Sequence, residues 1–206
     1  MPEIATDGDL TLRAMRDDDD DFGLLVRWRA EPHVHEWWEP DLPAPDLEEV
    51  RAFYGPRTRA EDPTTSCIIE LDGTPIGYLQ FYRWLAWPEE AEMLEVEADQ
   101  DTFGIDLFIG EPDLIGRGVG TRVVSLICDH LERDHQASSV ALTTETTNHR
   151  AQAAYEKAGF EKVREVLDTD TRGGHRMGCW LMVRRRTPGG VYARATPPAG
   201  RRTIPT

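Results

Sequence analysis

The stretch from Phe103 to Arg133 constrains this chain more than any other. It opens with an apolar strand signal, Phe103–Ile109 (FGIDLFI), and runs into a glycine turn, Leu114-Ile115-Gly116-Arg117-Gly118-Val119-Gly120-Thr121. A helix follows at once over Gly118–Arg133, with Val119, Val123, Leu126, Ile127 and Leu131 on one face. The hydrophobic period switches from 2 to 3.6 across the turn, so strand, turn and helix are read in that order. Glycines let the backbone approach a ligand closely. The first helical turn offers unpaired N–H groups and the positive end of the helix dipole. Together they suit a diphosphate. A P-loop requires Gly-Lys-Ser/Thr, which the chain lacks. A dinucleotide fingerprint requires G-x-G-x-x-G after an early strand, whereas the spacing here is G-x-G-x-G in mid-chain. The diphosphate of coenzyme A is the third possibility.

Around this unit strand and helix signals alternate. Leu10–Met15 is a first strand and Asp18–Arg29 a helix, its acidic run Asp17–Asp21 forming the cap and first turn. A second helix is expected over Asp46–Tyr54. Thr65–Leu71 and Pro75–Trp84 form a hairpin through Asp72-Gly73. Ser138–Thr144 is a strand, and Asn148–Ala158 a helix capped by Asn148 and stopped by Gly159. Phe160–Leu167 and His175–Arg184 close the sheet. The expected architecture is one α/β (α+β) domain over residues 10–186, with a central mixed sheet of about seven strands and helices on both faces. Residues 1–9 read as a leader. Residues 187–206 hold four prolines, three glycines and three arginines with no acid, and read as a flexible tail.

Charge narrows the function. The chain has 23 Lys+Arg against 38 Asp+Glu, a net charge of −15. That sign excludes a general binder of nucleic acid or of anionic membrane. Ten acids and no Lys, Arg or His fall between Trp84 and Gly116. Such self-repulsion costs stability unless a cation relieves it, and a positively charged ligand is the natural candidate. Three widely spaced cysteines argue for reduced thiols and a cytoplasmic location. No apolar run approaches a membrane span and no signal segment opens the chain. His33-Val34-His35-Glu36 does not read as a metal site, because three ligands within four residues converge poorly. His130 and His135 are expected on an exposed helix end, and Cys128 and Cys179 in the core.

These motifs resemble the GCN5-related N-acetyltransferases. That family's phosphate loop, Q/R-x-x-G-x-G/A, is matched by Gly118 and Gly120, with Ile115 standing in the Q/R place. Its later signature is matched by Asn148, Ala151, Tyr155, Lys157, Gly159 and Phe160 at the right spacing. Within the family the likeness is strongest to aminoglycoside 6′-N-acetyltransferases. It rests on Glu36-Trp37-Trp38, Pro75 to Gln80, Gly104-Ile105-Asp106, Gly116 to Thr121 and Tyr155 to Phe160. The resemblance implies acetyl-coenzyme A as co-substrate, no metal, and a polycationic aminoglycoside as acceptor, in a monomer or homodimer.

It also implies roles. Asp106 would be the base; the alternation of FGIDLFI puts it opposite Phe103, Ile105, Leu107 and Ile109. Tyr155 would be the acid for the departing thiolate. Residues 115–121 (Ile115, Gly116, Arg117, Gly118, Val119, Gly120, Thr121) would cradle the diphosphate. Leu107, Phe108, Ile109 and Asn148 would meet the pantetheine arm. Trp37, Trp38, Tyr78, Gln80, Asp99, Glu145 and Asp170 would line the acceptor pocket. Thr143 stands where the resembling enzymes often carry an acid, and Glu145 is the expected replacement. Two rivals stay open. One is the same fold acting on another amine: a siderophore hydroxylamine, a polyamine or a protein amine. The other is a non-catalytic protein that binds a cationic drug or acyl-coenzyme A.

Overall fold

The structure is a computed structural model, and it describes residues 3–169 and 176–186. Eight strands form one sheet in the order β1-β2-β3-β4-β5-β6-β8-β7. They are β1 (Glu3–Asp7), β2 (Leu10–Ala14), β3 (Thr65–Leu71), β4 (Thr74–Arg83), β5 (Thr102–Ile109), β6 (Ser139–Glu145), β7 (Glu161–Thr169) and β8 (Arg176–Arg185). Every pairing is antiparallel except that of β5 with β6. The sheet therefore has one more strand than expected. The extra one is β1, which lies in the segment read as a leader and pairs with β2. The stretch read as a tail lies outside the described residues.

Six α-helices cover the sheet among the described residues: α1 (Asp19–Arg29), α2 (Pro32–Trp38), α3 (Leu47–Thr58), α4 (Pro88–Met93), α5 (Val119–Asp134) and α6 (His149–Lys157). The sequence pattern missed α2 and α4, which are short and have no side-chain cap. By contrast α1 is capped by Asp18, α3 by an Asp46–Glu49 capping box and α6 by Asn148.

The two faces have separate cores. On one, α5 buries Val119, Val123, Val124, Ile127, Cys128 and Leu131 against Leu79, Phe81, Phe103 and Ile105. Each fully buried aliphatic side chain contributes ~1.5–3 kcal/mol. His130 belongs here too. Contrary to expectation it is buried, with its ring against Phe81 and His135 and its Nδ1 2.8 Å from Asp134. On the other face, α1, α2 and α3 cover β2–β5 with Phe22, Trp28, Val34 and Tyr54. Farther along that face, α4 covers β6–β8 around Trp84, Ala91 and Leu94. Cys67, Cys128 and Cys179 are buried free thiols, and burial holds Cys128 and Cys179 up at about 12.

Asp21, fully buried at the start of α1, fixes that helix to β2. It accepts from Arg13 at 2.6 and 2.9 Å and from the Arg16 backbone and side chain at 2.7 Å. Burial pushes its carboxyl up, but these bonds outweigh it and bring the pKa down to about 2.

Two features of the sheet shape the site. The β5–β6 register covers only Thr102–Gly104 against Ser139–Ala141. Beyond Gly104 the two strands part. The Asp106 end of β5 thus faces an opening while its other edge stays paired with β4.

Candidate active site

A cleft of about 800 Å³ lies on the α1–α4 face and reaches Gly120, Val124, Ala154 and Tyr155 of α5 and α6. The glycine turn stands at its far end. Gly116 and Gly118 have φ of 76° and 81°, a left-handed backbone that a side chain would strain. Gly118 is the N-cap of α5 and gives it no side-chain cap. A Cβ at Gly116, Gly118 or Gly120 would meet nothing within 4 Å. No side chain therefore crowds the backbone of this turn at its glycines, and an uncapped first helical turn so exposed fits a diphosphate. Val119 is buried, so only its backbone is available, and Ile115 is half-buried. Arg117 is exposed, and the Thr121 hydroxyl donates to the Ala154 carbonyl of α6 at 3.4 Å.

Leu107 and Ile109 are half-buried and line the cleft, whereas Phe108 also packs into the aromatic cluster with Trp28, Trp38 and Tyr78. The Ile109 carbonyl accepts from His33 Nε2 at 3.0 Å. Asn148 lines the cleft and caps α6 by accepting from the Ala151 N–H at 3.0 Å. At the other end of α6 Gly159 has φ 92°, and the Phe160 N–H donates back to the Tyr155 carbonyl at 3.0 Å.

Asp106 sits where alternation put it, directly opposite Gln80 on β4. Its Oδ2 accepts from Gln80 Nε2 at 2.8 Å, and the Tyr82 hydroxyl lies near enough to act on its charge. Tyr82 reaches it because its partner across the strands is Gly104; a Cβ there would lie 2.4 Å from the Tyr82 ring. Burial raises the Asp106 carboxyl above its ordinary range. The Gln80 bond and the Arg57 charge oppose this, and Asp168 adds to it. Tyr155 also lines the cleft. Burial, helped by the Asp106 charge, holds its hydroxyl well above the ordinary phenol range, so it stays protonated.

The expected acceptor residues divide. Trp37, Trp38, Gln80 and Glu145 line the cleft. Trp38 is a wall rather than a free face, with its ring 4.9 Å from Phe108 and 6.0 Å from Tyr78. Tyr78 is fully buried and its hydroxyl is engaged by Ser66 at 2.7 Å and Gln80 at 2.9 Å, so it supports the site from beneath. Asp99 does not line the cleft. Its carboxylate accepts from the Asp101 N–H at 2.8 Å and the Thr102 hydroxyl at 2.7 Å, closing the turn into β5. Asp170 lies outside the described residues. Burial raises Glu145, with the nearby Glu36 adding to the effect and a bond from Thr147 opposing it.

Among the cleft residues that escaped the sequence reading, Tyr82, Arg57 and Asp168 are the ones that act on Asp106. Thr143, at the place where an acid was expected, donates its hydroxyl to Asp168 Oδ2 at 3.0 Å. The carboxylate beside Thr143 is therefore supplied from β7. Among the described residues the cleft is lined by six carboxylates (Glu39, Asp62, Glu90, Asp106, Glu145, Asp168) and two arginines (Arg57, Arg150). No group of three His, Cys, Asp or Glu among them is placed to hold a metal ion, and no helix is long and apolar enough to cross a membrane.

A parted sheet with an uncapped glycine turn at one end, and a half-buried carboxylate sharing a cleft with a protonated tyrosine at the other, fits an acyl-coenzyme A-dependent acyltransferase. The chain belongs to the acetyltransferase (GNAT) family, whose domain model matches residues 17–167. It is 33% identical over 165 residues to the aminoglycoside N(6′)-acetyltransferase type 1 of Klebsiella pneumoniae, covering 78% of each chain. Its fold is similar to that of AAC(6′)-Ib in complex with ribostamycin and coenzyme A. That match has a TM-score of 0.74 at 31% identity and covers 87% of this chain and 94% of the other. The same enzyme in complex with paromomycin and acetyl-coenzyme A gives a TM-score of 0.73 with the same identity and coverage. The co-substrate of this chain is acetyl-coenzyme A.

Proposed function

We propose that this enzyme transfers an acetyl group to the 6′-amine of a polycationic aminoglycoside, and so confers resistance to it. One observation carries the reading: the acid-lined cleft joins directly onto the glycine cradle, so a polycation and a thioester would share one space. Holding the two reactants in line makes a covalent acyl-enzyme unnecessary. Acetyl-coenzyme A supplies the activated acyl group.

The chain's own residues do the rest. Backbone N–H groups of residues 116–121 hold the diphosphate, and the edge of Leu107–Ile109 that β6 leaves unpaired holds the pantetheine arm, with the Ile109 carbonyl already engaged by His33. Asp106 binds the acceptor ammonium and takes a proton from it, directly or through water, because only the neutral amine attacks a thioester. Tyr155, kept protonated by burial, donates to the departing sulfur. Trp37 offers a flat face to a sugar ring, while Glu145, Asp168 and Asp170 attract further ammonium groups. The product loses one positive charge and binds RNA phosphates less tightly. The site of action is the cytoplasm, where acetyl-coenzyme A and the ribosomal target of the drug coexist.

The test is release of free thiol from acetyl-coenzyme A with a panel of amines. Kanamycin-type acceptors should release thiol, and analogues without the 6′-amine should not. Silence with these and turnover with a polyamine, a hydroxylamine or a peptide amine would overturn the choice of acceptor. Tight drug binding with no thiol from any amine would overturn the enzymatic reading.

A further inference from the structure

Arg57 runs against the grain of the site. It lies in the last turn of α3 and lines a cleft whose other charges are mostly acidic. An inward cation there repels the cationic acceptor, so its presence calls for a reason. Its side chain is only 9% exposed. The guanidinium lies over the Phe53 ring at 4.3 Å and near the Tyr54 ring at 5.4 Å, which fixes its plane. Its Nε is 3.8 Å from Asp62, a long ion pair. Its short contact is with the site: Nη1 donates to Gln80 Oε1 at 2.6 Å.

That contact decides which way the Gln80 amide faces. Oε1 accepts from Arg57 and also from the Tyr78 hydroxyl at 2.9 Å, so two donors occupy the amide oxygen. The amide nitrogen is left to donate to Asp106, at 2.8 Å. Turning the amide over would set its NH2 against a guanidinium and a hydroxyl donor and its oxygen against a carboxylate. The chain Arg57–Gln80–Asp106 therefore has one favourable polarity. We propose that Arg57 is a positioning residue: acting through Gln80, and by its own charge, it holds Asp106 oriented and in the proton-accepting form.

The groups facing Asp106 do not make Arg57 redundant. Among the described residues, the uncharged hydroxyls of Tyr82 on β4 and Tyr155 on α6 lie near it, while Asp168 of β7 adds negative charge. Of the two arginines in the cleft, Arg57 is the one whose charge opposes this at Asp106.

This inference rests on the base assigned to Asp106 above, and its test does not require turnover. In protein carrying 13C-labelled aspartate, the Asp106 carboxyl signal, assigned by its loss in Asp106→Asn, is titrated in the absence of substrates. In Arg57→Met its midpoint moves to higher pH, and Arg57→Lys, which keeps charge and one donor, restores most of the shift. With acceptor and acetyl-coenzyme A, the acidic limb of kcat/KM moves the same way in Arg57→Met. The loss is ~10-fold near pH 6 and shrinks towards twofold at alkaline pH, with the KM for acetyl-coenzyme A unchanged. Should Arg57→Met not fold, Arg57→Gln is read in its place. An unmoved midpoint in a folded variant, or Arg57→Lys behaving like Arg57→Met, would overturn the proposal. If no amine is acetylated, the function falls while the titration still tests Arg57.

Discussion

The two ends of the cleft are built by different means. At the proposed diphosphate end one unbroken run, Ile115 to Thr121, would supply the contacts, and it would do so with backbone. At the acceptor end, Asp106 of β5 meets Gln80 and Tyr82 of β4, with Arg57 of α3, Asp168 of β7 and Tyr155 of α6 close enough to act on the site. On the function proposed above, the first end should tolerate a side-chain change such as Ile115 in the Q/R place, because its donors would be main-chain N–H groups. The second is a set of balanced charges, in which each substitution shifts the others.

If the ends are this separate, each can be damaged alone. The largest effect belongs to Asp106→Asn. Loss of the base should lower kcat/KM for the amine by ~10²–10⁴-fold while calorimetry finds coenzyme A binding intact. An equal loss of coenzyme A affinity would erase the distinction. Next comes Gly118→Val. Forcing a β-branched residue to φ 81° costs ~1–3 kcal/mol, or roughly 5- to 150-fold in coenzyme A affinity if strain displaces the cradle, with the amine KM nearly unchanged.

Asp168→Asn should raise the amine KM by about tenfold, the size of one charge-assisted contact. Because Asp168 raises the Asp106 carboxyl, its removal should also move the acidic limb of the pH profile downward, opposite to Arg57→Met. The smallest effect is expected at Asp99→Asn, less than about twofold in amine KM, because that carboxylate serves a turn. A large rise there would return Asp99 to the pocket.

The same division explains what could be read without coordinates. The glycine turn, the strand before it and the helix after it were legible because each is coded by neighbours in sequence. Asp106 was legible because a lone carboxylate in an apolar alternation is costly without a use. Asp168 was not, since its nearness to Thr143 follows from strand order, and β8 inserts between β6 and β7. Alternation put Tyr78 and Gln80 on one face of β4, which Tyr82 shares, but could not rank their depth. Tyr78 is sealed under Tyr54 and Trp38, whereas Tyr82 gains access because Gly104 stands opposite. Gly104 in the Gly-Ile-Asp block was the available hint. Arg57 sits near the end of α3, past Pro56 and beyond the helix end expected from pattern, so its reach into the site was invisible. In β1, the five residues Glu3–Asp7 carry little apolar pattern and are recruited by pairing with β2.

The parallel weld between β5 and β6 is only three residue pairs long. The two half-sheets are thus sewn together along a short seam, and the rest of that seam is where the proposed reading lays the co-substrate arm. A ligand lying there acts as missing stitches for the whole molecule. Its grip on the native chain should lift the melting temperature in step with the logarithm of its concentration, making heat resistance a readout of cellular acetyl supply.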